Sequence, residues 1–468
     1  MKQPLFLILI SLLTLMGLLH SCRQSEELFT GKEKVLSFST DTVYFDTVFT
    51  RPAGSAYPRS VNKQFFIVNT QNRPVSTSIF LGGGENSPYR INIDGVAGNS
   101  FTDVVIPAND SIIGFVEVTL EANNVLNPAV VYDSIVFITN TIEQRVMLAA
   151  YGWDALYFKS DSITTHTQWV NTEKPYVIIN SLSISRNATL EMGPGIEVYC
   201  SPESRIWVLG TLKSEGTASN PVVLQGDRLQ PGFKEVPGQW FGIHILIPSQ
   251  DNLIAHTLLK NAVVGVRVDS LPVNNNPKLT IRQTRIRNCA SYGILGIRTH
   301  IHAENVSIAR CGQNGFIGFW GGTYNLLHCS FASGYLGGRS SAALAFNNIR
   351  RDENDRFVES YPLAYNVLNS IIYGPLDDEV ILDIDPDRPL GQATLSHCLI
   401  KTEFYEDLFG SDPNLINVNP RFVNPREGDL SVESDSPVQG QGRSGLSVSE
   451  DIDGNPRPSP PSIGAYEP

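Results

Sequence analysis

Acidic side chains gather near residue 380 and are the best candidates for metal chemistry in this 468-residue chain. Asp377-Asp378-Glu379 precedes the apolar run Val380-Ile381-Leu382, and Asp383, Asp385 and Asp387 follow that run. In an extended strand alternate residues share a face, so Asp383 and Asp385 would present two carboxylates to one cation. Oxygen ligands of this kind suit Ca2+, so Asp383, Asp385 and Asp387 are candidate calcium ligands, although a solvated turn is the favoured interpretation.

Aromatic residues from the middle of the chain are the candidates for ligand stacking. If they are exposed together, they form a platform on which a sugar ring can stack. The alternative is that they pack in the interior, and we expect this for at least two of them. The four residues are Trp240, Trp320, Tyr324 and Tyr335.

Two histidines, His300 and His302, are spaced to share one face of a strand. The sequence identifies no third ligand beside them, so we expect a stacked or surface role rather than a metal site. The cysteines form no C-x-x-C pair, which argues against a zinc or redox module.

Composition limits the classes of fold and partner. The net charge is −12 and no basic run occurs, so the chain is a poor nucleic-acid binder. Glycine (38) and proline (29) are frequent, and the apolar segments are short and rich in Val, Ile and Leu. These features predict an all-β protein. The length predicts two or three domains, or one domain followed by an elongated array.

The first 21 residues have the pattern of an export signal. Lys2 precedes an apolar stretch from Leu5 to Leu19, which is too short to span a bilayer. The ending Leu19-His20-Ser21-Cys22 resembles a bacterial lipobox, which implies a signal peptide over 1–21 and lipid on Cys22. An ordinary signal peptide is the alternative. Residues 22–32 are then a tether, and their Ser-Glu-Glu sequence resembles the surface-export signal of Bacteroidetes lipoproteins. The resemblance implies anchoring in the outer membrane through lipid.

Residues 33–155 alternate apolar and polar side chains with the period of β-strands, as in Val43 to Phe49 and Gln64 to Asn69. Turn-forming clusters separate these stretches, and seven to nine strands fit the segment. The segment resembles the Ig-like modules of bacterial cell-envelope proteins, an all-β sandwich. We expect it to act as a spacer, because no catalytic constellation occurs in it.

A repeat follows in the second part of the chain. Gly242, Gly265, Gly293 and Gly315 each open a short β-branched strand and recur every 22 to 28 residues. A period of this length built from short strands predicts a solenoid in which each strand stacks on its copy in the next coil. Leucine-rich repeats are the competing solenoid, but their regular leucine frame is absent.

Cysteines occur at matching places in this repeat. Cys289, Cys311 and Cys329 each follow a polar residue at the end of a strand. Stacked positions in a coil interior suit reduced cysteine as a small hydrophobe, so we predict an interior thiol ladder. Disulfides are the alternative, and the state of Cys200 and Cys398 is left open.

Residues 156–468 resemble right-handed parallel β-helix proteins. The resemblance is carried by Leu182 to Gly195, Gly210 to Gly216, Trp240 to Ile243 and the Gly-Ile coil starts. The ending Ile463 to Glu467 resembles the closing segment of secreted bacterial β-helix proteins. This fold serves lyases, hydrolases, adhesins and passive stalks, so the resemblance implies the fold rather than the activity.

These observations together predict a lipid-anchored cell-envelope protein whose β-helix binds polysaccharide or another envelope component. A polysaccharide lyase or glycoside hydrolase acting in the groove of the helix is one alternative, and a passive adhesin or stalk is another. Of the motifs typical of β-helix polygalacturonases, the chain contains an Asp-Asp pair, Asp377-Asp378, without the others. Binding is therefore favoured over catalysis.

Overall fold

The computed structural model describes residues 27–51, 62–122, 129–332, 341–388, 390–410 and 413–468. The chain divides into two compact units, Met1–Trp153 and Asp154–Pro468. The predicted signal peptide, the predicted lipidation site Cys22 and the candidate Tyr335 lie outside the described residues. Among the residues that are described, no helix has the length and apolar character needed to cross a membrane.

The first unit consists of two five-stranded sheets. One sheet has the strand order β1-β3-β8-β5-β6, and the other has the order β2-β10-β9-β4-β7. Neighbouring strands are antiparallel except β10 and β2, which are parallel. The strands are β1 Leu36–Phe38, β2 Thr42–Phe49, β3 Lys63–Asn69, β4 Val75–Leu81, β5 Tyr89–Ile93, β6 Val96–Gly98, β7 Ser100–Ile106, β8 Ser111–Val118, β9 Ala129–Thr139 and β10 Ile142–Trp153, with a 3-10 turn at Gly84–Asn86.

Alternation explains why these strands form sheets with a common core. In β4, every second residue from Val75 to Leu81 is buried. Phe65 of one sheet and Phe137 of the other belong to the same apolar cluster and are fully buried. The buried faces of the two sheets therefore contribute to one apolar core, as the alternating pattern predicts. The specific Ig-like relationship stays a prediction.

The second unit is a long parallel β structure. Its strands are β11 Leu156–Ile163, β12 Thr167–Trp169, β13 Tyr176–Ile184, β14 Thr189–Met192, β15 Glu197–Cys200, β16 Arg205–Val208, β17 Thr211–Glu215, β18 Val222–Gly226, β19 Gly242–Ile245, β20 Asn252–Ala255, β21 Thr257–Lys260, β22 Val266–Asp269, β23 Leu279–Cys289, β24 Ile294–Cys311, β25 Phe316–Leu327, β26 Ser330–Ala332, β27 Leu344–Asn347, β28 Ile349–Arg351, β29 Phe357–Ser360, β30 Leu363–Leu368, β31 Ile371–Ile372, β32 Val380–Asp383, β33 Ala393–Ser396, β34 Leu399–Ile400, β35 Leu415–Ile416, β36 Phe422–Asn424 and β37 Asp429–Val432. A short helix, α1, spans Glu406–Phe409.

Three ladders of parallel pairing wind through this unit. The first ladder runs β16-β19-β22-β24-β25-β27-β32, and the second runs β17-β20-β23-β24-β25-β30-β33. The third includes β18-β21-β23-β24-β26-β31-β34. Because β23, β24 and β25 are long, each contributes to more than one ladder. The predicted parallel coil of the β-helix type is therefore present, and its handedness stays a prediction.

Like stacks on like in the coil interior. Ile243, Val266, Ile294 and Phe316 are register partners on successive coils and are almost fully buried. Cys289 and Cys311 are also register partners, and all five described cysteines are buried free thiols. Burial raises the pKa of the Cys329 thiol to about 12. The prediction of free interior thiols is confirmed, but the predicted ladder is wrong for Cys329. Cys329 precedes Ser330, the register partner of Ser307, and so does not stack on the Cys289–Cys311 pair.

A left-handed residue marks the corner between the second and third ladders in successive coils. Each has a φ between 42° and 52°, a backbone conformation in which asparagine is several-fold enriched. One such residue per coil turns the chain by a fixed amount, so that both neighbouring ladders keep their register. These residues are His256, Gln283, Asn305, His328, Asn369 and His397.

The C-terminal segment lies against this corner from outside. The Asn305 side chain donates to the Glu450 carbonyl over 2.7 Å and accepts from Arg457 over 2.6 Å. Arg457 also pairs with Glu467 over 2.5 Å, and both side chains are almost fully buried. The predicted closing segment therefore runs back along the side of the coils, where it covers outward-facing apolar residues such as Ala309.

Candidate functional site

Five polar residues form a column on the outer face of the second ladder, and we call this column the polar ladder. The inward neighbours Ile301 and Tyr324 are buried, so the alternation of the strands directs the column outward. All five side chains are half-buried. The column consists of Thr280, His302, Asn325, Asn366 and Thr394, each the register partner of the next.

A chain of hydrogen bonds joins three successive coils along this column. Asn366 Nδ2 donates to Asn325 Oδ1 over 2.8 Å, and Asn325 Nδ2 donates to His302 Nδ1 over 2.7 Å. Since an amide nitrogen can only donate, Nδ1 is the acceptor and the proton of a neutral imidazole is on Nε2. His302 Nε2 then donates to Glu304 Oε1 over 2.7 Å. The side chains are thus held in one arrangement.

The charges around the polar ladder follow from these contacts. The hydrogen bond from His302 lowers the pKa of Glu304; burial opposes this shift, and the charges of His302 and Arg282 add to it. Burial, followed by the charge of His302, lowers the pKa of His300. At neutral pH the site therefore presents a carboxylate at Glu304 and a neutral imidazole at His300. His300 and His302 lie on one strand face, as predicted.

Hydrogen-bonding capacity remains open on this face. Within the described part of the chain, Glu304 Oε2 and Asn366 Oδ1 accept no hydrogen bond, and each amide NH2 donates only one. Both ring nitrogens of His302 are engaged, Nδ1 as an acceptor and Nε2 as a donor. The arrangement is suited to binding hydroxyl groups.

The acidic cluster is arranged differently from the predicted calcium site. Strand β32 ends at Asp383, so Asp385 does not continue its alternation. Asp383 accepts hydrogen bonds from Asn347 over 2.6 Å and Arg351 over 3.1 Å, whereas Asp385 accepts from the Asp387 backbone over 3.0 Å. In the described ranges, no three His, Cys, Asp or Glu side chains are grouped to hold a metal ion. Calcium binding at Asp383, Asp385 and Asp387 stays a prediction.

The expectation that at least two of the aromatic candidates pack in the interior is confirmed, and Trp240 and Tyr324 are therefore not part of a stacking platform. Trp240 is 1% exposed, and its Nε1 donates to the Lys260 carbonyl over 3.0 Å. Tyr324 is also 1% exposed and donates to the Gly321 carbonyl over 2.9 Å. Both side chains point inward, where they fill the coil. Trp320 is 37% exposed and lies beside the guanidinium of Arg350.

Sequence reasoning missed most of the polar ladder. Its members are separated by 22 to 41 residues, because the turns between coils differ in length. The β28–β29 hairpin, for example, lies between Asn325 and Asn366. The sequence signal for this column was the shared strand face of His300 and His302. Aligning the coils on their left-handed corner residues would have brought the other members of the column into line with His302.

No protein-family model matches this chain, and no curated protein is similar to it. Among solved structures, the catalytic domain of a family 87 α-1,3-glucanase in complex with tetrasaccharides aligns with 78% of this chain and 83% of its own, at 10% identity and a TM-score of 0.21. A family 123 glycoside hydrolase from Clostridium perfringens aligns with 27% of this chain and 30% of its own, at 9% identity and a TM-score of 0.19. A protein of unknown function from Porphyromonas gingivalis W83 aligns with 27% of this chain and 58% of its own, at 11% identity and a TM-score of 0.19.

The last two matches span less than two thirds of the length of the proteins concerned. At these scores and identities the similarities carry no argument about activity.

Proposed function

We propose that this chain is a lipid-anchored cell-envelope protein whose coiled β domain binds polysaccharide through the polar ladder. The observation that carries the proposal is the hydrogen-bond chain from Asn366 through Asn325 and His302 to Glu304. These hydrogen bonds order the side chains of three coils before a ligand binds. They also leave donors and acceptors on the same face without a hydrogen-bond partner in the described residues. Ordering the site before binding reduces the entropy lost when a ligand arrives.

A repeating ligand suits a repeating surface. Successive parallel strands lie about 4.8 Å apart, so the ladder presents one polar side chain per coil at a constant interval. Amide, imidazole and carboxylate groups together donate to and accept from sugar hydroxyls. Solenoids commonly use such extended surfaces for binding. A chain of sugar residues is therefore the ligand class that this surface favours.

The envelope assignment rests on the amino-acid sequence. Residues 1–21 and the Ser21-Cys22 junction resemble a lipoprotein signal, which would leave Cys22 as the lipid-bearing terminus in the outer membrane. The first unit would then be an Ig-like spacer between the tether at 22–32 and the binding domain. Incorporation of radiolabelled palmitate into the full chain tests this part, and a Cys22→Ala variant should lose the label.

Binding is favoured over the alternative of a polysaccharide lyase or glycoside hydrolase. Glycosidases typically use two carboxyl groups on either side of the scissile bond. In the described strands, Glu304 is the acidic residue hydrogen-bonded to the polar ladder. The other acids in its register column and in that of Thr280 are Glu215, three coils from Glu304, and Glu191, four coils from His302. At about 4.8 Å per coil both are farther away than the carboxyl pairs of glycosidases. A passive adhesin or stalk would not require open hydrogen-bonding groups on a face that is already ordered.

A glycan-array screen of the mature chain tests the proposal. We expect binding to a discrete set of polysaccharides, and a drop in signal for Asn325→Ala, which breaks the hydrogen-bond chain in the middle. Asn354→Ala is the matched control, because Asn354 is an exposed asparagine in the β28–β29 turn. Equal signals from the two variants would refute the assignment of the polar ladder.

A further inference from the structure

A second outward-facing cluster lies on the first ladder, away from the polar ladder. Trp207, His244 and Arg267 are register partners on β16, β19 and β22, and their side chains alternate with the buried Ile243 and Val266. We call the set the cationic aromatic cluster. It consists of Arg205, Trp207, Phe241, His244, Arg267 and Asp269.

Arg205 is held by aromatic rings rather than by a carboxylate. Its guanidinium carbon is 4.0 Å from the centre of the Phe241 ring and 4.8 Å from that of Trp207. Across the described part of the chain, no Asp or Glu forms an ion pair with Arg205. Stacking of this kind orients a planar guanidinium while leaving its N–H groups able to donate.

Asp269 accounts for only part of the positive charge. His244 Nε2 lies 2.7 Å from Asp269 Oδ2, and Arg267 Nε donates to Oδ1 over 2.9 Å. Burial raises the pKa of Asp269, but these two hydrogen bonds outweigh it and the net shift is downward. Both carboxylate oxygens are thus engaged. Arg267 uses its Nε in this pair, and its side chain is 41% exposed. The cluster therefore contains two guanidinium groups and one carboxylate, and only Arg267 is paired with that carboxylate.

The rings complete a surface with both stacking and ionic character. The Trp207 and His244 rings are 5.0 Å apart and tilted by 34°. Phe241 is 39% exposed beside them. In a chain with a net charge of −12, a local excess of positive charge next to exposed rings is a specific feature rather than a general one.

We propose that the cationic aromatic cluster binds the anionic substituent of an acidic saccharide. Arg205 and Arg267 would donate to a carboxylate or a sulfate ester, since both groups match the planar fork of a guanidinium. The exposed edges of Trp207 and Phe241 would contact the sugar ring. This site is on a different ladder from the polar ladder, so it adds an acidic-glycan specificity to the proposed function and does not depend on it.

The test is isothermal titration of the mature chain with paired ligands. Tetragalacturonate is compared with its methyl ester, and a sulfated dextran oligosaccharide with the unsulfated one. We expect at least one anionic ligand to bind about tenfold or more tightly than its neutral partner. The pair that shows this difference identifies the anion as a carboxylate or a sulfate ester. Arg205→Gln and, separately, Arg267→Gln should remove this preference.

Controls separate this proposal from the polar ladder and from unfolding. Arg186→Gln removes an exposed arginine in the turn after β13 and should leave the preference intact. Asn325→Ala should also leave it intact, while it weakens binding at the polar ladder. Thermal unfolding checks that each variant is folded. The proposal is overturned if neither anionic ligand binds better than its neutral partner, or if Arg205→Gln and Arg267→Gln both behave like Arg186→Gln.

Discussion

The imidazole of His302 donates to the carboxylate of Glu304 over 2.7 Å while Asn325 occupies its other nitrogen. This relationship makes His302 a structural link between coils. It also places Glu304 as the charged end of an ordered row of polar groups.

Ligand binding at the polar ladder should depend on the charge of Glu304. Because the hydrogen bond from His302 lowers the Glu304 pKa below its ordinary value of 4.5, the carboxylate stays ionised below that pH. We expect Glu304→Gln to weaken glycan binding severalfold at pH 7, since charge-assisted hydrogen bonds are about twice as strong as neutral ones. Titration calorimetry measures the change. Glu353→Gln, at an exposed position, should bind like the unmodified chain.

The five interior thiols should be inert in the folded protein. Burial raises the pKa of Cys329 and of Cys398 to about 12, so little thiolate is present at pH 8. A thiol reagent such as dithionitrobenzoate should not label Cys200, Cys289, Cys311, Cys329 or Cys398 in the native chain, and should label all five in denaturant. Labelling of fewer than five in denaturant, with a mass two units lower per missing pair, would show disulfides instead.

Trp240 should contribute much more than Trp320 to the free energy of unfolding. Trp240 is almost fully buried, so Trp240→Ala should lower the free energy of unfolding by about 3–5 kcal/mol. Trp320→Ala should lower it by only about 0.5 kcal/mol, because that ring is partly exposed. Urea unfolding followed by circular dichroism measures both. Similar losses from the two substitutions would contradict the assignment of Trp240 to the core.

Acid should destabilise the coil through His328. Burial, and then the charge of Arg457, lowers the pKa of His328 to about 3, against an ordinary value of 6.5. Between pH 6.5 and about 3, His328 is therefore protonated in the unfolded chain and neutral in the folded chain. The stability due to neutral His328 is complete above pH 6.5 and is lost as the pH falls towards 3, by up to about 1.4 kcal/mol per pH unit.

His328→Asn isolates this contribution, because asparagine already occupies the same left-handed corner at Asn305 and Asn369. The difference in unfolding free energy between the unmodified and variant chains should change with pH between 6.5 and 4, in favour of the variant at low pH. His166→Asn, at an exposed histidine, is the control. A pH-independent difference for His328→Asn would contradict the buried neutral histidine.

The sequence predicts the coils well and the site poorly, for a physical reason. Gly242 and the glycines that follow it open short β-branched strands, and this local pattern is sufficient to indicate a stacked array. The polar ladder depends on which residue of one coil meets which residue of the next. That register is set by turns of unequal length, such as the segment between Asn325 and Asn366.

The same limit explains the outcome for other candidate residues. The side chain of Trp240 points into the coil and hydrogen-bonds to Lys260, a direction that its neighbours in sequence do not reveal. Asp385 does not continue the alternation of Asp383 because β32 ends at Asp383, two residues earlier. The second outcome depends on where a strand stops, which is the least predictable feature of a short strand.

The most direct test of the central claim is titration calorimetry of the mature chain with the polysaccharide fragment that gives the strongest glycan-array signal, compared among the unmodified chain, Asn325→Ala and Asn354→Ala. We predict measurable binding by the unmodified chain, an affinity lowered about tenfold or more by Asn325→Ala, and no change with Asn354→Ala. The absence of binding to any glycan, or the same affinity in all three proteins, would contradict the proposal that the polar ladder binds polysaccharide.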